Sequence, residues 1–135
     1  MENKIKDLLA AFNKRDFETL SACIHQDAEV QLPNGTILKG LKSVLDKWKE
    51  FIEIFPDIQY QPIKISYETP DWKTSVKVTG TFTKELHLPN GKTIAPTGNK
   101  LDMQQLINFR FDDDGMMIFE KKEYNMDEFI KQITA

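Results

Sequence analysis

The chain has 135 residues, of which 40% are hydrophobic and 29% charged, with a net charge of −3 at pH 7. This composition is typical of one soluble globular domain covering residues 1–135, and it provides no basic surface for nucleic acid. No apolar run approaches the roughly 20 residues of a membrane-spanning helix, so we expect no membrane contact. Cys23 is the only cysteine and the N-terminus lacks a signal-peptide pattern, so we expect a reducing, cytoplasmic location and no metal site.

Apolar residues at helical spacing predict four helices. The first covers about residues 2–14, because apolar side chains recur there at i, i+3, i+4 and i+7. Asp16 is placed to cap a second, short helix that reaches about residue 24. A third apolar stripe follows Gly40 and ends at Pro56, and a fourth follows Asn125.

The remaining segments predict a sheet. The turn at residues 33–35 joins two short strands, and an acidic turn at residues 112–115 joins two longer ones. Helices followed by a run of strands predict an α+β fold with a mostly antiparallel sheet. The predicted strands cover residues 28–32, 36–38, 58–67, 72–88, 101–111 and 116–124.

The order of elements, together with several local peptides, resembles one known superfamily. The peptides include Phe12-Asn13-Lys14-Arg15-Asp16, Phe55-Pro56-Asp57, Pro96-Thr97-Gly98 and Phe109-Arg110-Phe111. The chain resembles the nuclear-transport-factor-2-like superfamily, and within it the SnoaL-like polyketide cyclases (ester cyclases). The resemblance implies a cone in which a strongly curved sheet wraps around N-terminal helices and encloses an apolar pocket. It also implies a homodimer formed through the convex sheet face, and chemistry without a metal or organic cofactor.

Steroid delta-isomerases are relatives within this superfamily, and the residues they use are absent here. The resemblance places their carboxylate base at Leu32, their tyrosine donor at Leu8 and their protonated acid at Ile107. An aliphatic side chain can neither accept nor donate the protons that this reaction requires. The sequence therefore disfavours isomerase chemistry and favours an apolar pocket.

Two charged residues occupy the positions that polar pocket residues hold in the cyclases. Where the resembled family typically has a His and an Asp on its final strand, this chain has Glu120 and Lys122. Residues i and i+2 share a strand face, so both should point inward while Lys121, Glu123 and Met117 point outward. Glu120 would then be a general base and Lys122 a stabiliser of an oxyanion. Two alternatives remain open: an ion pair at the rim of the cone, or Lys122 as the partner of a ligand carboxylate.

The expected ligand is a small apolar or amphipathic molecule, and the expected chemistry is aldol or ester cyclisation, or proton transfer, on a carbonyl compound. The alternative is a non-catalytic ligand-binding or dimerisation module of the same fold. Besides Glu120 and Lys122, the predicted pocket wall consists of Leu8, Phe12, Leu32, Trp48, Phe51, Phe55, Phe82, Met103, Ile107, Phe109 and Tyr124.

Overall fold

The computed structural model describes residues 1–135, which form four helices and eight strands. No helix is both long enough and apolar enough to cross a membrane. The helices are α1 (Glu2–Asn13), α2 (Phe17–Cys23), α3 (Leu41–Ile54) and α4 (Met126–Thr134). The strands are β1 (Ile24–Gln31), β2 (Ile37–Lys39), β3 (Gln59–Glu68), β4 (Asp71–Thr81), β5 (Leu86–His87), β6 (Thr93–Ile94), β7 (Lys100–Phe111) and β8 (Met117–Glu123).

Six strands form one curled sheet in the order β2-β1-β8-β7-β4-β3. Only the β1–β8 pair is parallel, and the other neighbours are antiparallel. The sheet does not close, because β2 and β3 are its two edges. The predicted α+β fold with a mostly antiparallel curved sheet is confirmed. This order also places β8, the strand of Glu120 and Lys122, in the centre of the sheet.

Helices α1 and α3 bury their apolar stripes in the same core as the inner face of the sheet. Ile5 and Leu8 of α1 and Val44 and Trp48 of α3 are buried there. Two helices begin at side-chain caps. Asp16 caps α2 as predicted, accepting a hydrogen bond from the backbone N–H of Thr19, and Asn125 caps α4 in the same way. The helices therefore form by local capping and burial of one face, and they cover the interior side of β8.

Two predicted strand boundaries are wrong. The strand predicted at residues 72–88 leaves the sheet after Thr81, because the backbone N–H groups of Phe82 and Thr83 donate to Asn99 and Ile54 outside the ladder. Residues beyond it form the separate small hairpin of β5 and β6. The strand predicted at residues 28–32 begins earlier, at Ile24, because that residue pairs with β8.

Met117 faces inward, and the prediction that it faces outward is wrong. It is fully buried within the core. The pairing between β7 and β8 changes register near its start, so that Arg110 pairs with Phe119 but Phe111 pairs with Met117. One extra residue, Ile118, therefore interrupts the alternation. Strict alternation holds again from Glu120 onward, where Glu120 and Lys122 are buried.

Candidate functional site

Glu120 lies in the middle of β8, and its side chain is in the protein interior. Its neighbours in the sheet are Val30 of β1 and Phe109 of β7, and only 2% of its surface is exposed. Its carboxylate oxygen Oε2 is buried and has no hydrogen-bond partner. Burial raises the pKa of Glu120 above its usual range, and the charge of Lys122 lowers it by a smaller amount. Once ionised, such a carboxylate is a stronger base than a solvated one.

Lys122 points into the same interior and is only 6% exposed. Its Nζ atom donates a hydrogen bond of 3.3 Å to the Tyr60 hydroxyl oxygen and lies 5.0 Å from the centre of the Tyr60 ring. Burial, the largest single influence, lowers the pKa of Lys122, but its interactions with Tyr60, Glu120 and Tyr124 together raise it by more, so that its pKa lies above its usual range. Lys122 is therefore an ammonium ion at neutral pH.

The two charged side chains do not form an ion pair. Neither Glu120 nor Lys122 takes part in any of the salt bridges of the chain. Both are buried, whereas the neighbouring Lys121 and Glu123 are exposed and lie 3.8 Å apart, Nζ to Oε1. The arrangement therefore differs from the ion pair at a solvated rim that was one alternative. A buried ammonium without a carboxylate partner is costly and leaves donors free for a ligand.

Two tyrosines belong to the polar part of the interior. Tyr60 of β3 is buried, and its ring packs edge-on against Phe12 with 5.1 Å between the ring centres. Tyr124 follows β8 and contacts Phe129 of α4, with ring centres 5.6 Å apart. Burial raises the pKa of Tyr124 to about 12, although the charge of Lys122 opposes this shift. The Tyr124 hydroxyl therefore keeps its proton at neutral pH and can donate a hydrogen bond.

Three spaces meet at Lys122. The first is an interior cavity of about 20 Å³, and the second is an interior cavity of about 10 Å³ that shares Tyr60 and Lys122 with it. The third is an open surface groove of about 480 Å³ beside the β1–β2 turn, lined by Lys122 and Tyr124 among others. Lys122 and Tyr124 thus separate the groove from the interior. The first cavity is lined by Leu8, Leu9, Phe12, Trp48, Tyr60, Ile107, Glu120 and Lys122.

The structure brings together most of the side chains predicted from sequence for the pocket wall. Leu8, Phe12, Trp48 and Ile107 line the first cavity with Glu120 and Lys122. Phe51, Phe55 and Tyr124 line the second, and Leu32 lines the groove. Three others line none of these spaces: Phe82 and Phe109 are fully buried in the core, and Met103 is partly buried against it.

Of the residues that line the first cavity, sequence reasoning missed Leu9 and Tyr60. Leu9 belongs to the apolar stripe of α1 that the helical spacing identified. A wider pocket-facing side of α1 would have included it among the predicted pocket residues. Tyr60 lies on β3, where alternation places it on the same face as the buried Ile58. That signal was present in the sequence, but the partner of Tyr60 is Lys122, which is 62 residues away along the chain.

Asn13 at the end of α1 holds the backbone of Tyr60. Its Nδ2 donates to the Tyr60 carbonyl and its Oδ1 accepts from the Tyr60 N–H, both at 2.9 Å. We expect Asn13→Ala to lower the free energy of unfolding by about 1–3 kcal/mol, because both backbone groups lose their partner. Urea unfolding measures this. Asn13→Asp keeps the acceptor and should lose less, and an Ala variant as stable as the wild type would contradict the assignment.

A curled sheet on a helical layer, with a buried carboxyl, an ammonium and a phenol around an apolar cavity, defines a cone-shaped α+β protein with an interior polar site. A model of the SnoaL-like domain matches residues 5–120. The chain therefore belongs to the SnoaL-like family of the nuclear-transport-factor-2-like superfamily. The resemblance inferred from the local peptides is confirmed. None of the curated protein sequences matches the chain.

Several solved structures share the whole fold. IdmH of Streptomyces antibioticus, a candidate polyketide cyclase, has a TM-score of 0.78 and 24% identity, over 99% of this chain and 98% of that one. A candidate polyketide cyclase of Xanthomonas campestris pv. campestris has a TM-score of 0.84 and 18% identity, over 98% and 96%. AclR of Streptomyces galilaeus, a candidate hydroxylase, has a TM-score of 0.77 and 19% identity, over 98% and 93%. At these identities the likeness shows the fold and leaves the activity to be argued from the site.

Proposed function

We propose that the protein binds a small carbonyl compound at Lys122 and transfers a proton at the carbon next to the carbonyl group. Glu120 is the general base, and Lys122 with Tyr60 stabilises the negative charge that develops on the carbonyl oxygen. The observation that carries the proposal is the buried, unpartnered Oε2 of Glu120 on an apolar cavity that also contains an ammonium ion.

Glu120 and Lys122 account for every proton transfer and charge in the proposed reaction, without a further reactant. The Glu120 carboxylate takes the proton from the carbon, and the electrons of the broken C–H bond form an enolate next to Lys122. In an intramolecular aldol closure, the enolate carbon attacks a second carbonyl carbon of the same molecule. The new alkoxide then takes back the proton from Glu120. The proposal draws support from two solved structures of the same fold that are candidate polyketide cyclases, because an intramolecular aldol closure is one way to form a ring.

The substrate body is proposed to lie in the groove. Sites for drug-sized ligands usually have volumes of about 300–1,000 Å³, whereas the interior cavities measure about 20 and 10 Å³. The groove of about 480 Å³ is lined by Leu32, Ile37 and Tyr124, which suit an apolar or amphipathic body. Only the reacting carbonyl group needs to reach Lys122 from there.

The first test is exchange of carbon-bound hydrogen in heavy water. Wild-type protein is incubated in D₂O with cyclic and open-chain ketones and 1,3-diketones, and mass spectrometry measures uptake of deuterium. We expect exchange above the buffer rate for at least one compound, and an exchange rate that rises with pH as Glu120 ionises. No exchange above buffer for any member would argue for a binding function without catalysis.

A non-catalytic module is the second candidate function, and the small interior volume favours it. In that function the groove would hold a ligand, and the convex sheet face would form a homodimer. The exposed Asp102 and Gln104 of β7 lie on that face, so such an interface would be partly polar. Native mass spectrometry of the purified protein would detect both a dimer and a co-purified ligand.

A further inference from the structure

Trp48 carries a buried polar atom that no contact explains. The side chain extends from α3 and is only 4% exposed. Its ring stands edge-on to Phe12, with 5.9 Å between ring centres and an interplanar angle of 90°. The indole Nε1 is buried and has no hydrogen-bond partner. An indole N–H can only donate, and leaving it unpaired in an apolar interior is costly.

This indole lines the same cavity as Glu120. The cavity of about 20 Å³ is bordered by both side chains and by Lys122. Oε2 of Glu120, the acceptor, and Nε1 of Trp48, the donor, are both buried and both unpartnered. A cavity needs roughly 10–15 Å³ and two to four polar partners to hold one water molecule. The space therefore suits one oxygen atom held by three polar groups.

We propose that this cavity is a binding site for a single oxygen atom, and that the Trp48 indole N–H is one of its donors. In the free protein the oxygen belongs to a water molecule. In the complex it is the oxygen of the reacting carbonyl group, which displaces the water and accepts hydrogen bonds from Trp48 and Lys122. Trp48 then acts as a catalytic residue and also lines the pocket. The second half of the inference rests on the proposed function, whereas the water site does not.

The inference narrows the class of substrate. An oxygen between an indole N–H and an ammonium must be a strong acceptor with two available lone pairs, as in an enolisable ketone or its enolate. The other residues around the cavity are Tyr60 and the apolar Leu8, Leu9, Phe12 and Ile107. Compounds that place only carbon in this position should bind poorly, because they leave both donors unpaired.

The water site can be tested on the free protein by NMR. The chain has two tryptophans, so Trp48→Phe assigns the two indole N–H signals. We expect a cross-relaxation peak between the Trp48 indole proton and a long-lived bound water. The Trp72 indole serves as a control because that residue lines a surface groove. A Trp48 indole proton without an immobilised water would overturn the water site.

The substrate half is tested with two matched probes, 4-nitrophenolate and the neutral 4-nitrotoluene. The phenolate oxygen resembles that of an enolate, so Trp48→Phe should weaken its binding about ten-fold to a hundred-fold, which is typical of a lost hydrogen bond to a charged group. Binding of 4-nitrotoluene should be unchanged, and Trp72→Phe should affect neither. Equal effects on both probes, or no phenolate binding to the wild type, would overturn this half. A failure of the proposed function would be seen in a different measurement: the exchange activity would be unchanged in Glu120→Gln.

Discussion

Replacing Glu120 with Gln is expected to lower the rate of α-proton exchange by about a hundred-fold to ten-thousand-fold, the usual contribution of a positioned general base. The amide cannot accept the proton, yet it has nearly the same shape as the carboxyl group, and the residue it replaces is only 2% exposed. Deuterium uptake measured on both proteins decides the result. The matched control is Glu68→Gln, because Glu68 on β3 is exposed and lines none of the three spaces at Lys122, and its rate should equal that of the wild type. An unchanged rate in Glu120→Gln would remove Glu120 from the mechanism.

The same variant has an expected effect on stability that depends on pH. The pKa of Glu120 is raised in the folded protein, chiefly by burial, above its ordinary value of 4.5. The folded state therefore favours the protonated form, and this contribution is full below the unfolded pKa and lost as pH rises through the folded one. At neutral pH the variant should be at least as stable as the wild type, and this advantage should vanish under acidic conditions. Urea unfolding at two pH values measures it, and marked destabilisation at neutral pH would contradict a raised pKa.

Replacing Lys122 with Met is expected to weaken the binding of anionic ligands about ten-fold to a hundred-fold, because it removes a buried charged donor. Met keeps an apolar side chain of similar length, so neutral ligands should lose much less. The variant should also shift the pH dependence of any remaining proton exchange. The charge of Lys122 lowers the pKa of Glu120, and without it Glu120 should ionise only at higher pH. The rise of the exchange rate with pH should therefore move to higher pH.

Lys64→Met is the matched control for this prediction. Lys64 on β3 is exposed and lines none of the three spaces at Lys122, whereas Lys122 is buried. Its replacement removes the same charge and should leave both the affinity for anions and the pH profile unchanged. If Lys122→Met weakened neutral and anionic ligands equally, Lys122 would be a packing residue. If the pH profile stayed in place, its charge would not act on Glu120.

The alternation of residues along β8 predicted the two inward charges from Glu120 onward, and failed only at Met117. The period of a strand is two, so sequence alone separates Lys122 from Lys121. The inserted residue near the start of β8 changes this parity, and its presence depends on how β7 pairs with β8. Sequence does not reveal such a change in register, because it depends on the partner strand.

The sequence by itself determined the four helices and the Asp16 cap of α2, because spacing and capping act within a few residues. It also placed Glu120 and Lys122 on one face. Only the tertiary structure decided that these two form no salt bridge, that Tyr60 is the hydrogen-bond partner of Lys122, and that Trp48 and Glu120 share a cavity. These contacts are between residues of α3, β3 and β8. They depend on how distant elements pack, and no local pattern in the sequence specifies that.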